Sequence, residues 1–276
     1  MAWIKDAKVK FKHGQPFDYE KILKRIDARM CFFDEYNDKE KAFCIRHDED
    51  WDMRYSLDLA RAENKYNLKS IYYINNTCDY FDYSQRLIDQ CKEIIDLGHQ
   101  IGLHYNALEE HILHGTPVVD VLSKPLDFLR SNGIKINGGS AHGSKVCRDN
   151  KVLNFEIWKE FETSHLAHMK KSPLFDGDIK IDRIPLSSVG FDYDATLVDH
   201  ASYISDSSGR LWGMVRVDQN DPGRVYDLIE YAELMRGGAA IKSNIGEIIQ
   251  HFNAHVDTGL MHILIHPIWW VGKGPK

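Results

Sequence analysis

The chain has 276 residues, 43% of them hydrophobic and 28% charged, a globular balance with room for one large α/β barrel or two ordinary domains. A formal net charge of -6 excludes a nucleic-acid footprint founded on charge. No apolar stretch reaches the roughly 18 residues of a membrane span, and the lysine-studded start from Met1 to Gly14 lacks the apolar segment of a secretory signal.

Cysteine usage points to a reducing, cytoplasmic setting, because Cys31, Cys44, Cys78, Cys91 and Cys147 are odd in number and show no CxxC pair. Phe17-Asp18 followed by Tyr19, Ile22, Leu23, Ile26 and Met30 predicts a capped helix. It belongs to an N-terminal extension, residues 1–40, packed on a main domain of residues 41–276. Phe43-Cys44-Ile45 predicts a buried strand that collapses into Arg46-His47-Asp48-Glu49-Asp50. Carboxylates there cannot be buried without compensation, so the cluster is aimed at a cation, a proton or both, or else forms a solvated acidic turn.

Tyr55, Leu59, Ala62 and Tyr66 fall on one helical stripe, and Lys69 to Ile74 predicts a second strand running into Asn75-Asn76-Thr77. Leu87, Ile88, Cys91, Ile94 and Ile95 mark a helix stopped by Gly98, and His99 to Leu103 a third strand entering His104-Tyr105-Asn106. A helix over Val118 to Leu129 should kink or break at Pro125. Ile134 to Ala141 predicts a fourth strand, ending at His142. The stretch from Asn150 to Asp199 is least regular, with a short helix over Phe155 to Glu162 and strand pieces near Ile179 to Ile184. Ala201 to Ile204 predicts a strand ending in Ser205-Asp206-Ser207. A last helix over Ile245, Ile248, Ile249 and Phe252, capped by Ser243, precedes a final strand, Leu260 to Ile265, that ends at His266-Pro267.

Alternating strands and helices argue a parallel sheet with crossover helices. The strand ends carry Asp48 and Asp50, Asn75, His104, His142, Asp206 and His266. A βα barrel collects such ends on one rim and an open doubly wound sheet at one edge. No GxGxxG or GxxxxGK[ST] follows a strand, which disfavours a nucleotide fold. Asp50, His104 and His142 supply a carboxylate and two imidazoles, a donor set suited to Zn2+ among the divalent ions. Asp48 is placed to act as general base on an attacking water and His266 as general acid, a hydrolase layout. Any one strand-end histidine is by itself more often a hydrogen-bonded or surface residue than a ligand. Trp269-Trp270 reads as core before it reads as a sugar-stacking platform.

These segments resemble the polysaccharide deacetylase superfamily, the fold of chitooligosaccharide and peptidoglycan N-deacetylases. Arg46-His47-Asp48-Glu49-Asp50 is similar to the R-H-D-x-D form of its first motif. Gly98-His99-Gln100-Ile101-Gly102-Leu103-His104 is similar to G-H-E-I-G-x-H, and Leu264-Ile265-His266-Pro267 to the closing L-x-H-P. Gly139 to Ser144 resembles the third motif region, without its R-x-P element. The segment from Tyr203 to Trp212 resembles one in which an Asp and a Trp line the groove. The resemblance implies a distorted (β/α) barrel of about seven strands, Asp48 as general base, Asp50 and His104 as metal ligands, and His266 as general acid. The second histidine of the family pattern would fall at Leu108. His111 and His142 are both open as the third ligand, with His142 preferred.

The implied activity is metal-dependent removal of an acetyl or similar acyl group from an N-acetylated sugar or sugar conjugate, in surface-polysaccharide or lipopolysaccharide biosynthesis. Asp206, Arg210 and Trp212 are the implied substrate-binding residues, Asp206 and Arg210 binding sugar hydroxyls or holding the base in place, with an outer salt bridge an equal account of both. A non-catalytic carbohydrate-binding member of the fold and a hydrolase of a small non-sugar amide are the alternatives. Carbohydrate is the one partner expected, with no nucleic acid.

Overall fold

The computed structural model describes residues 19, 23–24, 26, 29–177, 179–200, 202–207, 212–216, 225–226, 249–250, 252–254 and 256–270, with backbone alone in 212–216 and 225–226. Its strands are β1 (Arg29–Met30), β2 (Lys41–Glu49), β3 (Ser70–Asn75), β4 (Gln100–Tyr105), β5 (Gly138–Ala141), β6 (Tyr193–Asp194), β7 (Ser202–Ser205), β8 (Trp212–Arg216), β9 (Val225–Tyr226) and β10 (Gly259–Ile265). Its helices are α1 (Met53–Asn64), α2 (Gln85–Asp96), α3 (Ala107–His114), α4 (Val118–Ser131) and α5 (Lys145–Asp149). The fold is α/β, as the alternating pattern predicts. Among the described residues no helix is long and apolar enough to cross a membrane, and all five cysteines are free thiols. The chain divides into two compact units. One comprises Met1–Asp48, Arg54–Ile71 and His200–Lys276, the other Glu49–Met53 and Tyr72–Asp199.

In the first unit β2 is flanked in parallel by β10, from Gly259 opposite Lys41 to Ile265 opposite His47. The short β1 also runs parallel to it. β7 continues the parallel set beside β10, and β8 and β9 then fold back antiparallel, a meander that the sequence pattern did not announce. The expected strand of Phe43 to Ile45 is in fact nine residues long and takes Arg46, His47, Asp48 and Glu49 into the sheet, all buried. The strand continues past the apolar run because each of those charges finds a partner, as described below. The helix expected to reach Met30 stops earlier. Tyr19 and Leu23 are helical, whereas Arg29 and Met30 pair with Ala42 and Phe43. Of the last expected helix, 249–250 and 252–254 are helical, while Ser243, Ile245 and Ile248 lie outside the described residues.

In the second unit the strand order is β6-β5-β4-β3. β4 and β5 are parallel with His104 opposite Ser140, and β5 and β6 are parallel with Gly138 opposite Tyr193. Glycines permit this spacing: a Cβ on Gly102 would sit 2.4 Å from the Tyr73 ring, and one on Gly138 2.5 Å from the Tyr193 ring. α2 starts at Ser84, whose side chain accepts from the Leu87 N–H, buries Leu87, Ile88, Cys91 and Ile94, and ends before Gly98, at φ 93.

α4 runs through Pro125 without a break, one of the two outcomes expected there. A proline in a helix interior costs about 3 kcal/mol, but Val118, Leu122, Leu126 and Leu129 are buried on the same face, each contributing about 1.5–3 kcal/mol. α3 was not expected. Its two turns are too short for a periodic signal, and it buries Ala107 and Leu108 before Gly115, at φ 68, ends it. The expected helix over Phe155 to Glu162 is two 3-10 turns, Asn154–Ile157 and Lys159–Thr163. The strand pieces near 179–184 reduce to one bridge between Trp158 and Ile184.

Candidate functional site

The second unit brings Asp50, His104 and His142 together, with one ligand atom from each lying within 4.8 Å of the others. Asp50 follows β2, His104 sits near the end of β4, and His142 directly follows β5. His104 Nε2 is 3.4 Å from Asp50 Oδ1, and His142 Nε2 is 3.7 Å from Asp50 Oδ2. Two atoms each 2.0–2.1 Å from a tetrahedral ion stand about 3.3 Å apart, so the two imidazole–carboxylate separations, 3.4 and 3.7 Å, are close to the spacing of neighbouring ligands. His104 is buried, whereas the Asp50 and His142 side chains are 28% and 30% exposed. Solvent therefore reaches one side of the cluster.

Hydrogen bonds orient these side chains. His104 Nδ1 lies 2.9 Å from the Ser140 carbonyl oxygen. A carbonyl can only accept, so Nδ1 carries the hydrogen and a neutral ring turns the Nε2 lone pair to Asp50. A lone pair against a carboxylate oxygen is repulsive unless a proton or cation lies between them. The residues present thus fit a divalent ion. Asn75 Nδ2 donates to Asp50 Oδ1 at 3.0 Å, and His142 Nδ1 meets Asn106 Oδ1 at 3.0 Å.

His111 is not part of this cluster. Its Nδ1 donates to the Thr116 carbonyl at 3.0 Å. Leu108, where the family pattern would have a histidine, is fully buried. Glu49, the third acid of the first motif, is also buried, and its carboxylate accepts from the Trp51 and Asp52 N–H groups, both at 2.8 Å. It shapes the turn that presents Asp50.

In the first unit Asp48 is buried and held by a bidentate Arg46, Nε to Oδ1 at 2.7 Å and a terminal nitrogen to Oδ2 at 2.5 Å. The two residues share one face of β2 at period-two spacing. His47, on the opposite face, pairs with the buried Glu63 at 2.8 Å, which also accepts from Ser70 and from Tyr19. His266 and Asp48 each lie one residue past the register pair Ile265–His47, level on neighbouring parallel strands. His266 Nδ1 is 2.6 Å from Asp206 Oδ1, and the His266 backbone N–H and Trp270 Nε1 both donate to the same carboxylate. Asp206 is fully buried and committed to these partners. Trp270 is buried, in keeping with core, and Trp212 opens β8 opposite Ser205. Arg210 lies outside the described residues.

Burial pushes the Tyr203 hydroxyl up to about 12. Burial first, and then the charges of Arg46 and His200, drives His262 well below its usual range, against an opposing pull from Asp48. Neither His262 ring nitrogen has a hydrogen-bond partner among the described residues. Sequence alone assigns no role of their own to Arg46, Asn106 and Asn154. Only Arg46 left a signal there, two residues before an acid on a strand.

No family model matches the sequence, and no curated protein matches it. Among the solved structures that the chain matches are three, each at a TM-score of 0.40 or below. The first is a mutant of a CE4 family pseudoenzyme with restored enzymatic activity, at 9% identity and TM-score 0.38, covering 84% of this chain and 58% of that one. The second is a Streptococcus mutans CE4 esterase, at 11% identity and TM-score 0.40, covering 84% and 75%. The third is the catalytic domain of a peptidoglycan N-acetylglucosamine deacetylase from Eubacterium rectale, at 14% identity and TM-score 0.39, covering 84% and 79%. This chain thus spans little more than half the length of the first.

Proposed function

We propose that this chain is a divalent-metal-dependent hydrolase that removes an acetyl or similar acyl group from an N-acetylated sugar or sugar conjugate, with Zn2+ as the resident ion. The observation that carries the reading is the cluster of Asp50, His104 and His142, in which an imidazole Nε2 faces a carboxylate at ligand spacing while its Nδ1 is committed to a carbonyl. The ion, when bound, supplies Lewis acidity to the acyl carbonyl and to an attacking water. Asp48 is the general base, and the Arg46 fork aims its carboxylate and favours the ionised form. His266 is the general acid toward the leaving amine. Its Nδ1 is held by Asp206, so the proton it delivers is the one at Nε2. The substrate class comes from the motif resemblance, as do a place in surface-polysaccharide assembly and a sugar-binding role for Trp212 and Arg210.

The test is acetate release from N-acetylglucosamine conjugates by metal-loaded protein, alongside metal analysis. Wild type should bind about one ion per chain and release acetate. Asp48→Asn should abolish turnover while keeping the metal. Loss of the ion in that variant would reverse the roles of Asp48 and Asp50. A wild type that binds no divalent ion ends the hydrolase reading.

A further inference from the structure

Hydrogen-bond direction can be followed outward from backbone groups, whose roles are not negotiable. The Thr77 N–H can only donate, and it points at Asn75 Oδ1 at 3.0 Å, which fixes the Asn75 amide. Asn75 Nδ2 therefore faces Asp50 Oδ1 as a donor. The Thr77 hydroxyl donates to the same Asn75 oxygen at 2.8 Å. Having spent its hydrogen, it must accept from Asn106 at 3.0 Å, which makes the facing Asn106 atom Nδ2. Asn106 Oδ1 is then left to face His142 Nδ1.

A second set of hydrogen bonds, anchored on the Leu108 N–H, ends at the same atom. The Leu108 N–H donates to Asn154 Oδ1 at 3.0 Å, and Asn154 Nδ2 lies 2.9 Å from the Tyr105 carbonyl and 3.0 Å from the His142 carbonyl, both acceptors. That same Nδ2 lies 3.2 Å from Asn106 Oδ1. The two carbonyls take both Nδ2 hydrogens, so this approach suits an oxygen at that position rather than a second amide nitrogen, in agreement with the first route, which makes the Asn106 oxygen the acceptor toward His142. His142 must then carry a hydrogen on Nδ1, which leaves Nε2 as the atom of the ring that faces Asp50 and as the lone-pair nitrogen of its neutral form.

We infer that Asn106 is a positioning residue of the metal centre, the group that makes His142 a ligand, and that Thr77 and Asn75 extend its orientation to Asp50. The circuit runs from Asp50 to His142 through three neutral side chains, and a bound ion would close it between those two residues. It explains how a ligand drawn from the end of β5 replaces the one expected at Leu108, since His142 comes with its own orienting amide, just as His104 has the Ser140 carbonyl. The inference rests on the metal reading above. Outer partners of this kind govern metal affinity by roughly 10- to 100-fold.

The experiment titrates Co2+ into the metal-free full chain, reading the visible absorption band and chelator competition, for wild type, Asn106→Leu, Asn106→Asp and Thr77→Val. Ring-nitrogen NMR of the metal-free proteins reports the His142 tautomer. Asn106→Leu should weaken binding roughly 10- to 100-fold and release His142 from the Nδ1–H form. Asn106→Asp keeps the acceptor and should rescue both readouts, and Thr77→Val should show a smaller loss in the same direction. Wild-type affinity and tautomer in both Asn106→Leu and Thr77→Val overturn the inference. If Asn106→Leu fails to fold, Thr77→Val decides by the same readouts. A wild type that binds no Co2+ overturns the metal reading instead, and the tautomer measurement then still decides whether Asn106 orients His142.

Discussion

Replacing Arg46 by methionine tests the central claim about β2, that its acids are buried because they are paired. The Arg46 and Asp48 side chains are only 6% and 3% exposed, and both guanidinium–carboxylate contacts are within 2.7 Å. Removing one partner of such a buried pair typically costs about 3–5 kcal/mol, because the other charge loses its compensation while staying out of water. That is roughly two to four orders of magnitude in the folded-to-unfolded ratio at 1.36 kcal/mol per decade. Urea unfolding of metal-free protein at pH 7.5 measures it, with Arg46→Lys as the variant that keeps the charge and loses the fork.

Acidification supplies a second readout of the same variant. Without Arg46, burial raises the folded-state pKa of Asp48 above its unfolded value of about 3.9. A raised folded pKa contributes stability that is present at low pH and lost as pH rises. The deficit of Arg46→Met against wild type should therefore be widest at neutral pH and narrow as pH falls toward 4. A loss below about 1 kcal/mol, the worth of an exposed pair, or a deficit indifferent to pH would refute the argument.

Three further outcomes are expected. His262 has a depressed folded pKa, so its contribution is present above about pH 6.5 and lost as pH falls below it. Wild type should lose up to about 1.4 kcal/mol per pH unit in that window, and His262→Leu should flatten the slope in the same urea titration. Gly102→Ala drives a methyl into the buried Tyr73 ring and should cost about 1–3 kcal/mol by thermal unfolding; a neutral result would mean that the ring has room to move. Asp206→Asn weakens the hold on His266 Nδ1 and should lower kcat far more than it changes KM, with metal content unchanged. An equal fall in bound metal would assign Asp206 a different role.

The strand-and-helix alternation, the stop at Gly98, and the strand-end location of Asp50, His104, His142 and His266 were all legible in the sequence. Period and punctuation are local properties of a chain, and the ends of parallel strands are where chemistry gathers. What local pattern could not convey was compensation. Asp48 looked too polar to lie within a strand, and it lies there because Arg46 on the same face neutralises it. His47 is buried because Glu63, sixteen residues away, meets it. The proposed third ligand shows the same division. His111 and His142 were both open in the sequence, and only the folded chain brings His142 and Asn106, 36 residues apart, within 3.0 Å. Patterning along the chain determines which elements form, but the partner of a buried charge or the tautomer of a histidine is a property of long-range contacts, and these exist only once the strands have paired.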